Sequence, residues 1–369
     1  MSGVMKIAML NTGRGWGGAE EQMLSMSLEL ENRGYSITVI CRRGSPVEKR
    51  FTECGLQVLP VARKGLRAVV DPFLTALQAR REKFHIIHSH RDHDLPLGKL
   101  LALASGGALL LTQHCLPGKP SALTYRTADR IITVSEYIAS GIRGKVPGVR
   151  DCLGVIVNGI DPALFTNPDR EFWRRNPYLT GRGPLLGVVG GFYKGQEELI
   201  ELLPDLRKEF PAITLILIGE DEGRKPQLQG LAERLGVTEA VFFAGRIPRD
   251  QMKHALAGLD LNVSAFRNEG FGLTVIEGFA VGTPFVGYAA GGYQEVVESG
   301  VNGMLVTDKN ALMWQIKDLL GDSQGLLSLR INCHQSVVGG EFLLEQMVNR
   351  YVQEYNSIRF ADSPSGNRR

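Results

Sequence analysis

The chain has 369 residues, 43% hydrophobic and 22% charged, ordinary for a globular protein and too long for one typical domain, so two are expected. No run of about eighteen apolar residues exists to span a membrane, and the N-terminus enters a strand at Lys6 without the pattern of a secretory signal; five cysteines, with no C-x-x-C pair, read as reduced thiols rather than a disulfide framework. The net charge of +3 divides into +7 over residues 1–170 and −4 over the rest, which suggests an anionic partner or a membrane surface for the first half.

Short apolar runs alternate with helix-like stretches along the chain. MKIAML, YSITVIC, LQVLPV, FHIIHS, ALLLTQ, RIITVS and LGVIVN read as buried strands, with EEQMLSMSLELENRG and PFLTALQARREKF as helices between them. Such alternation implies a parallel sheet covered on both faces, because parallel crossovers need a helix. The pattern breaks over residues 161–183, DPALFTNPDREFWRRNPYLTGRG, and resumes with LLGVVGG, ITLILIGE, AVFFAG, DLNVSA, PFVGYA and GMLV. The expected fold class is α/β, two doubly wound Rossmann-like domains over 1–170 and 171–345, with ligands beyond the strand C-termini in a cleft between them. FLLEQMVNRYVQEYNSI adds a last helix over 346–360, and the pattern leaves open whether it packs back on the first domain. The tail 361–369, ADSPSGNRR, reads as disordered.

Three segments carry chemistry. RKGLRAVVDPFLTALQARREKF mixes Arg63, Lys64, Arg67, Arg80, Arg81 and Lys83 with Phe73, Leu74, Leu77 and Phe84. Packing on its own sheet with solvated charges is the preferred reading, and a basic amphipathic helix on a membrane the alternative. In HIIHSHRDHD, His88, His90, Asp92 and His93 spell H-x-H-x-D-H, the ligand string of zinc hydrolases. A dinuclear site needs a further histidine and a bridging aspartate at moderate distance downstream, yet the next histidines are His114 and then His254. Histidines that line the acceptor side of a cleft or are solvated are preferred to a metal centre.

The third segment is RNEGFGLTVIEGFAVGTPFVGYAAGGYQEVV, residues 267–297. Gly270, Phe271 and Gly272 open a helix, whose free N–H groups and positive dipole end suit a diphosphate, and these three with Leu273 are the donor-binding candidates. Glu277 follows Glu269 by eight residues on an apolar helix, where a carboxylate needs hydrogen-bond donors or a counter-charge. A ribose diol would supply donors; a helix cap followed by a core-facing ion pair is the alternative. Taken with Gly282, Thr283, Pro284, Gly291, Gly292 and Glu295, the segment favours a ligand site.

On these residues the chain resembles the retaining GT-B glycosyltransferases, in particular glycosyltransferase family 4, nearly end to end. GRGWGGAEEQM resembles the family's Gly-Gly loop after the first strand, which implies that Gly17 and Gly18 face donor phosphate and acceptor. ADRIITVSEYIA and VIVNGIDPALF resemble two further family segments. FYKGQEELIELLPDL resembles the lysine-glycine phosphate loop, making Lys194 the diphosphate cation. The resemblance further implies that Glu269 approaches the transferred sugar, Glu277 holds the ribose, and His114 in LLTQHCLP contacts the sugar. Arg14, Trp16 and His90 fall on the acceptor side. The family's loop usually has an arginine where this chain has Gly191, and Arg246 or Arg14 is the candidate replacement. The implied activity is metal-independent transfer of a sugar from a UDP- or GDP-type nucleotide sugar to a hydroxyl of a cell-envelope glycan or lipid-linked saccharide, in the cytoplasm or at the inner face of the plasma membrane, with no cofactor and no nucleic acid partner. A zinc-dependent hydrolase and a non-catalytic nucleotide-sugar-binding protein are the alternatives.

Overall fold

A computed structural model describes residues 4–118 and 121–361. Most of the tail read as disordered lies outside the described residues; Ala361 ends the final helix, Leu344–Ala361. The chain forms two compact units, one running to Gly159 and including the stretch from Leu344 onward, the other spanning Ile160–Leu343.

In the first unit seven strands, β1 (Lys6–Asn11), β2 (Ser36–Arg42), β3 (Gln57–Val61), β4 (Ile86–Ser89), β5 (Ala108–Gln113), β6 (Arg130–Thr133) and β7 (Leu153–Val155), form a parallel sheet of order β3-β2-β1-β4-β5-β6-β7. The second unit has β8 (Leu185–Val189), β9 (Thr214–Ile218), β10 (Val241–Gly245), β11 (Leu261–Ser264), β12 (Phe285–Tyr288) and β13 (Gly303–Val306) in the order β10-β9-β8-β11-β12-β13. Each apolar run of the sequence is one of these strands. The central strands are buried on both faces, as parallel strands under helices require, while the edge strands β3, β7, β10 and β13 are only partly buried. Strand order reverses between β1 and β4 in the first unit and between β8 and β11 in the second, so the loops after these four strands flank the crevice where doubly wound sheets bind ligands.

The units divide at Gly159, ahead of the junction near residue 170 read from composition. The Pro- and Asn-rich stretch packs inside the second unit because it carries its own anchors. Trp173 is buried and donates from Nε1 to the Ala255 carbonyl at 2.7 Å, and Phe165 is buried as well.

The basic helix bears out the preferred sequence reading only in part: it packs against β3, and Phe84 behind it is buried. After α1 (Gly18–Asn32) and α2 (Pro46–Glu53), α3 (Arg67–Glu82) buries only the small side chains Thr75, Ala76 and Ala79. Val69, Phe73, Leu74 and Leu77 lie on the surface, each between 57% and 63% exposed. Of the apolar side chains expected to pack on the sheet, Phe73, Leu74 and Leu77 face outward, because small residues are what the facing helix Leu95–Ser105 admits at close approach.

Candidate active site

In the second unit the two switch-point strands deliver the two loops. The turn after β8 carries Lys194 and the turn after β11 carries Glu269, and Lys194 Nζ donates to Glu269 Oε2 at 2.7 Å with both side chains only about a fifth exposed. Gly272, at φ +106°, caps the helix Leu273–Ala280, and Gly270, Phe271 and Gly272 are buried. Close packing holds this loop: Gly292 N–H donates to the Glu269 carbonyl at 2.9 Å, and a Cβ on Gly292 would lie 2.5 Å from Phe271 Cα. That contact explains the glycine pair in AAGGYQE. Tyr293 beside it is buried, donates to Ser264 Oγ at 2.9 Å, and has its phenol pushed well up, first by burial and then by the Glu269 carboxylate. Phe271 serves the core, its ring 6.0 Å from Phe342.

Glu277 is buried on this helix, and Arg249 Nη1 donates to its Oε1 at 2.5 Å. The ion pair that the sequence left as the alternative is therefore present, with an arginine that sequence reasoning did not single out. The Arg249 guanidinium is about a third exposed and also lies over the Phe165 ring. Arg246 is exposed and paired with Glu220 at 3.0 Å, and Arg14 belongs to the first unit. At Gly191 a Cβ would meet the Tyr193 ring at 2.5 Å and Glu222 at 2.7 Å, so a larger residue would displace both side chains.

In the first unit the loop after β1 leads to Gly17, which caps α1, and Gly18, its first residue; both are exposed. Beneath them lies a network that sequence reasoning missed. Buried Glu20 accepts from the Gly17 N–H at 3.0 Å, from Asn11 Nδ2 at 3.0 Å and from Arg91 Nη2 at 2.8 Å. Burial alone would raise the Glu20 pKa, but Arg91 and Asn11 outweigh it and hold the carboxyl below its ordinary value. The signal was a glutamate three residues after a capping glycine, half of a capping box. Trp16 is fixed by its Nε1 bond to Glu21 Oε2 at 2.9 Å and by Arg50, 4.3 Å over its ring.

The histidines form a line. His90 Nδ1 is 3.1 Å from His114 Nε2, and the His88 and His90 rings stack at 4.2 Å. Burial is the main cause that pushes His88 to about 3 and His114 to about 4, and it holds His90 well below the ordinary value, so all three are neutral at pH 7. Both His88 ring nitrogens are occupied, by the Tyr355 hydroxyl and the Thr112 hydroxyl, each at 2.7 Å. Asp92 accepts from the Tyr125 hydroxyl at 3.2 Å. These partners disperse the H-x-H-x-D-H string, and among the described residues no group of three His, Cys, Asp or Glu side chains gathers as a metal centre. The zinc-hydrolase alternative finds no support.

Two doubly wound domains, with a lysine, a carboxylate and a glycine-opened helix start at one switch point, define a GT-B glycosyltransferase that takes its sugar from a nucleotide sugar. Residues 16–164 match the profile of Glycosyltransferase Family 4 and residues 169–335 that of Glycosyl transferases group 1, and the chain belongs to this family as a hexosyltransferase-type enzyme. It is 25% identical to a 2-deoxystreptamine N-acetyl-D-glucosaminyltransferase of Streptomyces fradiae, over 84% of this chain and 83% of that one. It is 26% identical to a D-inositol 3-phosphate glycosyltransferase of Acidothermus cellulolyticus, over 79% and 74%. Anabaena HepE, solved in complex with UDP-glucose, superposes with a TM-score of 0.84 at 22% identity, covering 96% of this chain and 100% of HepE. Among the described residues no helix is long and apolar enough to cross a membrane.

Proposed function

We propose that the chain is a retaining, metal-independent transferase that moves a hexose from a UDP- or GDP-sugar to a hydroxyl of a cell-envelope glycan or lipid-linked saccharide, working in the cytoplasm at the inner membrane face. The second unit binds the donor and the first the acceptor. The observation that carries this reading is Lys194 poised on Glu269 at a glycine-opened helix start. Departure of the nucleoside diphosphate builds negative charge on the β-phosphate, and preorganised amides with one ammonium stabilise it without a metal. In this assignment Gly270, Gly272 and Leu273 present N–H groups to the diphosphate, Lys194 leaves Glu269 for the phosphate, and Glu269 faces the sugar. Neutral His114, held by His90, donates to a sugar hydroxyl, while Gly17 and Gly18 let donor and acceptor approach closely.

Glu277 holds the ribose diol with Arg249 as its positioning residue. A carboxylate accepts about four hydrogen bonds, so pairing with Arg249 and accepting ribose hydroxyls are compatible. Calorimetric titration with UDP, GDP and ADP tests the donor pocket and names its base. One of the first two should bind, and Lys194→Gln and Glu277→Gln should each weaken it by about 1.5–3 kcal/mol, the value of a charge-assisted hydrogen bond. A Glu277→Gln protein with lowered melting temperature but unchanged nucleotide affinity would leave the acid a purely structural ion pair. Tight nucleotide binding without turnover of any donor would favour a non-catalytic binder, the reading that Gly191 in place of an arginine keeps open.

A further inference from the structure

A basic concavity lies in the first unit, lined by none of the residues assigned to the donor in the second. β3, β2 and β1 are neighbours in the sheet, all parallel, so their C-terminal loops emerge side by side. Arg42 ends β2, with Arg43 and the α2-capping Ser45 following; Arg63 and Lys64 follow β3, and Arg14 follows β1. Together they line one cavity of about 450 Å³. Among the described residues only Arg43 of these cations forms an ion pair, with Asp71 at 3.9 Å; on the cavity wall the Glu48 carboxylate accepts from the Gly44 N–H and the Asp71 carboxylate from the Ala62 N–H. Five cations (Arg14, Arg42, Arg43, Arg63, Lys64) against two carboxylates (Glu48, Asp71) leave a positive excess around one concavity, an arrangement that a multiply charged anion relieves.

We infer that this cavity binds a phosphate or diphosphate group carried by the acceptor. The assignment to the acceptor rests on the glycosyltransferase reading above, whereas the anion site itself does not. Guanidinium forks match phosphate oxygens in pairs, and the charge excess suits a dianion or more highly charged group rather than one carboxylate. The volume exceeds that of bare phosphate and is of the size that ordinary ligand pockets have, leaving room for the unit the phosphate is attached to. No aromatic side chain lines it, so it offers a nucleobase no stacking surface and is not a second donor site. Arg14 lies on the same β1–α1 loop as Gly17 and Gly18, so a phosphate held here is linked by three residues of chain to the glycines where donor and acceptor are assigned to meet.

The test is calorimetry of inorganic pyrophosphate binding to the full chain, with the donor site first saturated by whichever of UDP or GDP binds. Pyrophosphate should still bind, and Arg63→Ser/Lys64→Ser, both exposed loop residues, should weaken it on the order of tenfold or more. Nucleotide affinity should stay unchanged. Adding Arg42→Ser should weaken it further, with a melting curve to confirm folding; the double variant decides the matter if the triple does not fold. Competition by glucose 6-phosphate would assign a soluble phosphorylated acceptor. Competition by phosphatidylcholine vesicles containing phosphatidic acid, but not by pure phosphatidylcholine, would assign a lipid headgroup. Unchanged pyrophosphate affinity in the double variant, abolition of binding by saturating nucleotide, or displacement by neither phosphate ester would overturn the inference. Failure of every nucleotide to bind, with pyrophosphate binding intact and lost in the variant, would sink the donor assignment and keep the anion site.

Discussion

His88, His90 and His114 illustrate how much a residue's meaning depends on partners that sequence does not display. As a string they resemble metal ligands; in the fold they are neutral rings stacked along the ends of β4 and β5. Their pKa values are depressed in the folded state, so the unfolded chain binds more protons once the pH drops below about 6.5. The stability that depends on their neutrality is complete above that value and is lost as pH falls toward about 3 for His88 and about 4 for His114. Unfolding free energies from denaturant titrations at pH 7.5 and 5.5 should therefore differ by about 1 kcal/mol for each histidine. His88→Gln should remove one such increment, and an identical pH slope in that variant would show that the ring already protonates in the native protein. Lys194, Glu269 and Glu277 were legible because glycines and an apolar helix surround them with little else to explain a charge. Arg249, Tyr293 and the Glu20–Arg91 pair were not, since each acts across elements distant in sequence and local pattern carries no trace of the partner.

At the scale of elements, the strands were legible because burial on both faces makes each a continuous apolar run bounded by turn residues. The helix α3 was legible as a helix but not in its surroundings: periodicity marks an apolar face without saying whether anything covers it. Its exposed Val69, Phe73, Leu74 and Leu77, flanked by Arg63, Lys64, Arg67, Arg80 and Arg81, suit the interface of an anionic bilayer. Co-sedimentation with vesicles containing phosphatidylglycerol should retain the protein, and Phe73→Ser/Leu77→Ser should release it; equal retention in the variant would remove α3 from membrane binding. Glycines divide in the same way into legible turns and illegible contacts. A Cβ on Gly44 meets nothing within 4 Å, while one on Gly292 meets Gly270 and Phe271 backbone. Gly44→Ala should cost about 1 kcal/mol from its φ of +72° alone. Gly292→Ala should cost more, in the range of about 1–3 kcal/mol for overpacking, and should weaken nucleotide binding as well because the loop it displaces carries Glu269. Equal melting temperatures for the two variants would refute the packing argument.

For the whole molecule, the chain order of the units is not their spatial content: the polypeptide leaves the first unit at Gly159 and returns to it at Leu344. An amphipathic helix advertises an apolar stripe but not which of two sheets it covers, which is why the sequence left the matter open. The returning helix Leu344–Ala361 buries Met347, Val348, Tyr351 and Tyr355 in the core of the first unit. It also brings Glu354 to Arg130 in a two-pronged ion pair, both contacts at 2.7 Å, and the Tyr351 hydroxyl to Thr112 at 3.0 Å. Each large apolar side chain buried this way is worth about 1.5–3 kcal/mol, so together the four approach the whole stability of an ordinary domain, about 5–15 kcal/mol. A chain ending at Leu343 should consequently lose the first unit: limited proteolysis should clear residues before Gly159 while the second unit persists and still binds nucleotide. Tyr355→Phe isolates the polar part of the same contact, stranding His88 Nδ1 in the core at a cost of about 1–3 kcal/mol, with melting of the first unit lowered and nucleotide affinity unchanged. Protease resistance of the first unit in the truncated chain would mean that its own sheet and helices suffice and that the returning helix is an ornament on a complete fold.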